Sequence, residues 1–374
     1  MYWAILFGGM YLIGIAGLLF LIRSVQRFHF VSALSRGSRI ASWCIGAALI
    51  LLPLALAWAA LGYMNAIIIL LHLTVFWGVA ELIHRAVQKR RAQPLRRYYA
   101  GAAAVFFTAL YLGVGWVQAN HVWQTDYTVT TEKNVGSLRV ALLADSHVGT
   151  TFDGEGLSVH IARMQAQQPD VVVIAGDFVD EDTSKEDMIA ACRALGQLDT
   201  PYGVYFVFGN HDKGLYSDGG RGYTGDDLIA ELQKNGVTVL QDESVLLDGR
   251  FYLVGRQDAS EELDFGRSRA KITDLISELD EDKFSIVLDH QPRDYNAEAD
   301  AGADLVLSGH THGGQLIPLV QLTGWFHIAG DDRIYGREQR ESTDFIVTSG
   351  ISDWAIKFKT GCRSEYVIVD IQGK

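Results

Sequence analysis

Carboxylates and histidines recur in this 374-residue chain at the ends of short apolar runs, and that is where a metal-binding site would collect its ligands. Asp145-Ser146-His147 follows Val140-Ala141-Leu142-Leu143-Ala144, and Gly176-Asp177-Phe178-Val179-Asp180 follows Val171-Val172-Val173-Ile174-Ala175. Gly209-Asn210-His211-Asp212 follows Val204-Tyr205-Phe206-Val207-Phe208, and His290 closes Ser285-Ile286-Val287-Leu288-Asp289. Gly309-His310-Thr311-His312-Gly313-Gly314-Gln315 follows Asp304-Leu305-Val306-Leu307-Ser308. Carboxylate oxygens and imidazole nitrogens together suit Mn, Fe, Zn or Co better than Ca, without choosing among them. His310 and His312 stand two apart, and in extended backbone such residues point the same way, toward one site. The flanking glycines allow a sharp turn and a close backbone approach to a ligand.

The apolar runs read as buried strands. Helical patterns fall between them at 157–167, 185–195, 226–234, 267–279 and 295–301, several opened by a capping residue. Further strands are expected at 237–240, 244–247 and 251–254, and an edge strand at 127–131. Such alternation predicts an α/β architecture with the site outside the carboxyl ends of its strands.

In their order along the chain, these blocks resemble the calcineurin-like metallophosphoesterase family, whose pattern runs DxH, GDxxD, GNHD, an isolated His, then GHxH. The resemblance covers about residues 138 to 350, and GHTHGGQ with a hydrophobic N-terminus looks like the membrane-anchored members. It implies a four-layer α/β/β/α sandwich of two facing mixed sheets. It also implies two divalent metal ions and a phosphoester substrate. One metal would be held by Asp145, His147 and His312, the other by Asn210, His290 and His310, with Asp177 bridging. Two such ions, about 3.5–4 Å apart, acidify a bridging water and clamp the phosphoryl oxygens. By the same resemblance His211 protonates the leaving oxygen or stabilises the phosphoryl charge, with Asp212 orienting its ring. Toward the C-terminus the chain departs from the pattern: Lys357-Phe358 and Ser364-Glu365 stand where members carry Arg-Phe and Pro-Glu. Replacing Arg by Lys loses a bidentate fork, which bears on substrate-rim contacts.

Charge divides the chain in two. Residues 1–120 hold ten Lys or Arg and one acid, Glu81, whereas the remainder holds 22 basic and 43 acidic residues, and the whole is −12. An acidic domain is a poor partner for nucleic acid. The three cysteines form no CxxC or disulfide framework. Residues 1–117 read as a membrane region with four spans at about 1–22, 40–61, 64–83 and 98–117, followed by a connector at 118–137 and the metallophosphoesterase domain at 138–374. Basic residues crowd the loops between spans one and two and between spans three and four. The positive-inside rule then makes this a multi-pass protein of the plasma (inner) membrane with the catalytic domain outside the cytoplasm.

Four spans exceed what tethering a soluble-substrate hydrolase requires, so membrane lipid is an expected partner and a lipid-linked phosphoester an expected substrate. The apolar segment Leu316, Ile317, Leu319, Val320, Leu322, Trp325, Phe326 and Ile328 follows the histidine loop directly. Exposed, it would touch the bilayer interface or an acyl chain; buried, it is ordinary packing. The rival reading is a non-catalytic membrane receptor or scaffold on a degenerate phosphoesterase fold.

Overall fold

The computed structural model describes every residue except 1, 92, 94–96, 217–219, 319 and 322–329. Leu319, Leu322, Trp325, Phe326 and Ile328 of the apolar segment lie outside the described residues, as does Arg96 of the second basic loop. The chain divides into two compact units, Met1–Trp116 with Ala355–Lys357, and Val117–Trp354 with Phe358–Lys374.

The first unit is built of helices: α1 (Tyr2–Val25), α2 (His29–Leu34), α3 (Arg39–Leu61), α4 (Tyr63–Arg90) and α5 (Ala100–Asn120), which leads into the second unit. Three of these, α3, α4 and α5, are long and apolar enough to cross a membrane, with mean hydropathies of 2.3, 2.2 and 1.7. Within α1 the described stretch Tyr11–Val25 is likewise apolar. Pro53 lies inside α3, tolerable where neighbouring helices support the backbone. Leu21, Ile22, Ile50, Trp77 and Ala104 bring α1, α3, α4 and α5 together, and a small residue allows the closest approach. A Cβ on Gly46 of α3 would lie 2.9 Å from the Ile22 carbonyl oxygen of α1. Glu81 is buried in this bundle with Arg27 Nη1 at 2.5 Å and Arg85 Nε at 2.7 Å, and the Tyr98 hydroxyl donates to it at 3.1 Å. Its charge is thus fully partnered, as a buried charge must be.

In the second unit a mixed sheet orders β1 (Trp123–Thr130), β12 (Glu365–Gln372), β2 (Ser137–Leu143), β3 (Val171–Ala175), β4 (Val204–Val207) and β5 (Val237–Val239) side by side. The second mixed sheet runs β10 (Gly336–Arg340), β11 (Thr343–Val347), β9 (Leu305–Ser308), β8 (Phe284–Leu288), β7 (Phe251–Gly255) and β6 (Glu243–Leu247). In the first, β2 to β5 are mutually parallel; in the second, β7, β8, β9 and β11 are. Their apolar runs are continuous because both faces of each strand are covered. Val171, Val173 and Ala175 of β3 enter the core between the sheets, together with Ile286 and Leu288 of β8 and Leu305 and Leu307 of β9. The alternate residues Val172 and Ile174 pack outward against α6 (Gly154–Gln165), α7 (Lys185–Leu195) and α8 (Gly225–Lys234). On the opposite side Val287 and Val306 meet α10 (Ile272–Ile276) and α11 (Tyr295–Asp300), while the short α9 (Ser260–Leu263) lies at the end of β7.

One helix is much shorter than its sequence pattern predicts. Of 267–279 only Ile272–Ile276 is α-helical, because the preceding residues are tied to the sheet rim. Arg269 pairs with Asp289 and Asp294 and donates to the Gln257 carbonyl, and the Ala270 N–H donates to Asp242. The edge strand expected at 127–131 begins four residues earlier, at Trp123, paired in parallel with β12.

Ile286 is fully buried between the sheets, so Ile286→Ala should destabilise the protein by about 2–5 kcal/mol. Thermal unfolding of the detergent-solubilised chain, followed by tryptophan fluorescence, measures this; an unchanged midpoint would contradict face-to-face packing of the sheets.

Candidate metal centre

Five adjacent or facing strand ends carry the chemistry-bearing residues. Asp145 and His147 follow β2, Asp177 follows β3, and Asn210, His211 and Asp212 follow β4, three neighbouring parallel strands of one sheet. His290 follows β8, while His310 and His312 follow β9, two neighbouring parallel strands of the other sheet. The backbone at these turns is unusual. Asp145, His147, Asp177, His310 and His312 have φ of 53°, 36°, 50°, 71° and 48°, a left-handed region that non-glycine residues avoid. Each such residue costs about 1–3 kcal/mol, and they persist where surrounding structure over-determines them.

The left-handed turn corrects one expectation. His310 and His312 are not in extended backbone and do not converge on one point; His312 opens a 3-10 turn, and the two rings join different clusters. Asp145, His147 and His312 form one group, and Asp177, His290 and His310 another, with the potential ligand atoms of each group all within 4.8 Å of one another. Asp177 lies between them. Its Oδ2 is 3.6 Å from His147 Nε2 and 3.2 Å from His290 Nε2. Asn210 joins the second group through its Oδ1, 2.9 Å from His310 Nδ1.

The side chains fit divalent cations. His290 Nδ1 is 2.7 Å from the Ala175 carbonyl oxygen, and His312 Nδ1 is 3.3 Å from the Ser352 carbonyl oxygen. His147 Nδ1 faces Asp180 Oδ2 at 3.3 Å, off the line of a good hydrogen bond. Outer partners of this kind fix the tautomer that leaves Nε2 for a metal. His147 Nε2 and His312 Nε2 then oppose each other at 3.1 Å, an arrangement of two lone pairs that a shared cation would turn from repulsive to attractive. Asp145 Oδ2 is buried without a hydrogen-bond partner. Without a cation, burial pushes the Asp145 carboxyl up to about 6. Burial and the neighbouring His290 charge push His310 down to about 3, so it stays neutral and able to ligate. Burial likewise holds His312 well below its ordinary value, with His147 and Lys359 adding to the effect. At Asp177 burial works the other way, but the surrounding imidazoles, His290 first, outweigh it and keep the carboxyl ionised.

Asp212 does not orient His211. Its two oxygens accept the backbone N–H groups of Asp177, Phe178, Val179 and Gly209 at 2.7–3.1 Å, which leaves neither aimed at the ring. It fastens the Asp177 turn to the Asn210 turn. The ring is held instead by Glu181, whose carboxylate lies 2.8 Å from His211 Nδ1. Burial pulls the His211 pKa down, but the charges of Asp177 and Glu181 outweigh it and raise it to about 9. The only sequence signal for Glu181 is an acid directly after the Gly176–Asp180 block.

A second residue that the sequence reading missed is Lys359. It is fully buried, donating to the carbonyls of Ser349 at 2.8 Å, Ser352 at 2.9 Å and Gly350 at 3.4 Å. That loop lies against the first ligand group: a Cβ on Gly350 would come 2.6 Å from Asp145 Cβ, and the Ser352 N–H donates to the Asp145 carbonyl. Cys192 and Cys362 are buried free thiols.

Residues 138–314 match the family model for calcineurin-like phosphoesterase. A Campylobacter jejuni protein named an uncharacterized metallophosphoesterase is 30% identical over 243 residues, 63% of this chain and 60% of its own length. An Aquifex aeolicus protein with the same description is 29% identical over 66% of this chain and 91% of its own length. A Bos taurus transmembrane protein with metallophosphoesterase domain is 29% identical over 64% of this chain and 54% of its own length. The chain thus spans little more than half of the bovine relative and about three fifths of the Campylobacter one.

In the metal-free protein His211 should titrate near 9, protonated below and neutral above, and Glu181→Gln should move that titration toward the ordinary 6.5. Histidine NMR of the chelator-treated protein reads this directly. A His211 titration indifferent to Glu181→Gln would show that the carboxylate does not hold the ring.

Proposed function

We propose that this chain, which carries a calcineurin-like phosphoesterase domain over residues 138–314, hydrolyses phosphoric esters with two divalent transition-metal ions held side by side. The observation that carries the reading is Asp177, an ionised buried carboxylate with Oδ2 within 3.6 Å of imidazoles from both ligand groups. Asp145, His147 and His312 would hold one ion and Asn210, His290 and His310 the other, with Asp177 shared. When bound, the pair would supply an acidified water and positive charge for the phosphoryl oxygens. The protein's own share is positioning and proton transfer. Asp177 would offset part of the positive charge of the ions that both ligand groups hold. Asn210 gives only a neutral carbonyl oxygen, keeping its side of the site electron-poor. His211, held by Glu181, donates its proton to the leaving oxygen.

The membrane attachment is part of the same proposal. With α1 as a fourth span beside α3, α4 and α5, both basic loops fall on one side, and the positive-inside rule places the phosphoesterase domain outside the cytoplasm at the plasma (inner) membrane. A lipid-linked phosphoester is the substrate class this anchoring favours.

Asp177→Asn should lower metal content, measured by inductively coupled plasma mass spectrometry, and abolish turnover of an aryl phosphodiester. His211→Asn should keep its metal while slowing turnover roughly 10²- to 10⁴-fold. Loss of metal from the His211 variant would move that residue into the ligand set, and metal-loaded protein inert toward every phosphoester would favour a receptor or scaffold.

Two further measurements address the membrane reading. A reporter fused after Lys374 should behave as exported and one beside Arg91 as cytoplasmic; the opposite pattern reverses the orientation. In mixed micelles a phospholipid phosphoester should be cleaved faster than its water-soluble headgroup analogue, and equal rates would remove the lipid assignment.

A further inference from the structure

We infer that the helical unit carries a second, non-catalytic site that binds the phosphate of an anionic phospholipid. Between the end of α1, the loop through α2 and the start of α3 lies a cavity of about 450 Å³, within the range of small-ligand pockets. Arg23, Arg27 and Arg39 line it, with Gln26, Ser42 and Trp43.

Charge balance argues that an anion belongs there. Glu81 is the sole acid among the first 120 residues, and its carboxylate is already shared by Arg27 and Arg85. Among the described residues Arg23 and Arg39 therefore have no acidic partner, and two guanidinium groups facing one cavity repel unless a counterion enters. A phosphate satisfies them well, because its oxygens match the guanidinium fork two at a time. Arg39 is also the first residue of α3, a 23-residue helix whose amino end adds partial positive charge to the same place.

Position argues for a lipid rather than a free ion. The cavity lies where the apolar α1 ends and the apolar α3 begins, at the border between hydrocarbon and water. Exposed apolar side chains adjoin it: Ile40 is 78% exposed, and Trp43, a residue type favoured at headgroup depth, is 41% exposed. Basic pockets between spanning helices at that depth suit anionic headgroups. The Gln26 side-chain oxygen Oε1 accepts the Ser42 hydroxyl at 3.3 Å, linking the end of α1 to α3 along the cavity wall, so the two arginines are presented by helices already fastened together.

The test uses the full chain in detergent, titrated with phosphatidylglycerol, with phosphatidylcholine and with inorganic phosphate, and bound lipid counted by native mass spectrometry. Phosphatidylglycerol should be retained in preference to phosphatidylcholine. Replacing both arginines, Arg23→Gln with Arg39→Gln, should weaken that retention about thirty-fold, the scale of two lost charge contacts at an anionic surface. Arg23→Lys with Arg39→Lys keeps the loop charge that sets topology yet loses both forks, and should weaken retention several-fold; this pair decides if the glutamine pair fails to insert. Arg90→Gln with Arg91→Gln, a basic pair away from the cavity, should leave retention unchanged. Equal retention of the two lipids, or equal losses from the cavity pair and the Arg90–Arg91 pair, would overturn the site. Displacement of phosphatidylglycerol by inorganic phosphate at equal concentration would overturn the lipid assignment.

Discussion

A buried carboxylate between two sets of imidazoles is the constraint on which the second unit depends. Asp177 is 2% exposed and ionised, and its charge is tolerable only because positive charge can be placed beside it. Burial by itself would neutralise it. His290 partly answers this need, since the Asp177 charge lifts its pKa well above the ordinary value although burial opposes the change. A proton on His290 and a cation at the same place are alternatives. The site is therefore electrostatically incomplete in the sense that favours metal uptake with proton release.

Holding that carboxylate requires the loops around it to be fixed in conformations they would otherwise avoid. Five potential ligands have left-handed backbone, and the strain is opposed by hydrogen bonds that have no other evident purpose. Asp212 gathers four backbone N–H groups from two loops, and the Lys359 ammonium gathers three carbonyls from a third. Both side chains are fully buried and hydrogen-bonded to the main chain. They act on the site by fixing the backbone that carries the ligands.

The helical unit solves a similar problem with fewer charges. Its single acid is buried and shared by two arginines and a tyrosine, which ties α1, α4 and the residues before α5 into one polar knot. Packing elsewhere in the bundle relies on close helix approach at small residues, the means available where surrounding lipid is as apolar as the side chains.

Much of this was legible in the chain itself. Apolar runs of four to eight residues ending in Asp, Asn or His located the site-bearing strands, because a strand buried on both faces has no polar alternative. Period and capping residues marked α7 to the residue, Lys185–Leu195. Spacing could not show that the backbone is left-handed at His310 and at His312, where contacts from Asp145 and the loop at 349–353 hold it. Nor could proximity along the chain decide what orients His211: Asp212 is adjacent yet turned into the backbone, while Glu181, thirty residues away, reaches the ring. The 267–279 helix shortened for the same reason, as Arg269 found acids on a distant strand end. The sequence by itself determined which residues could ligate and which strands would be buried, because those follow from residue chemistry and local period. The tertiary structure decided which side chain serves which neighbour, because hydrogen bonds and charge pairs depend on distance in space and not on distance along the chain.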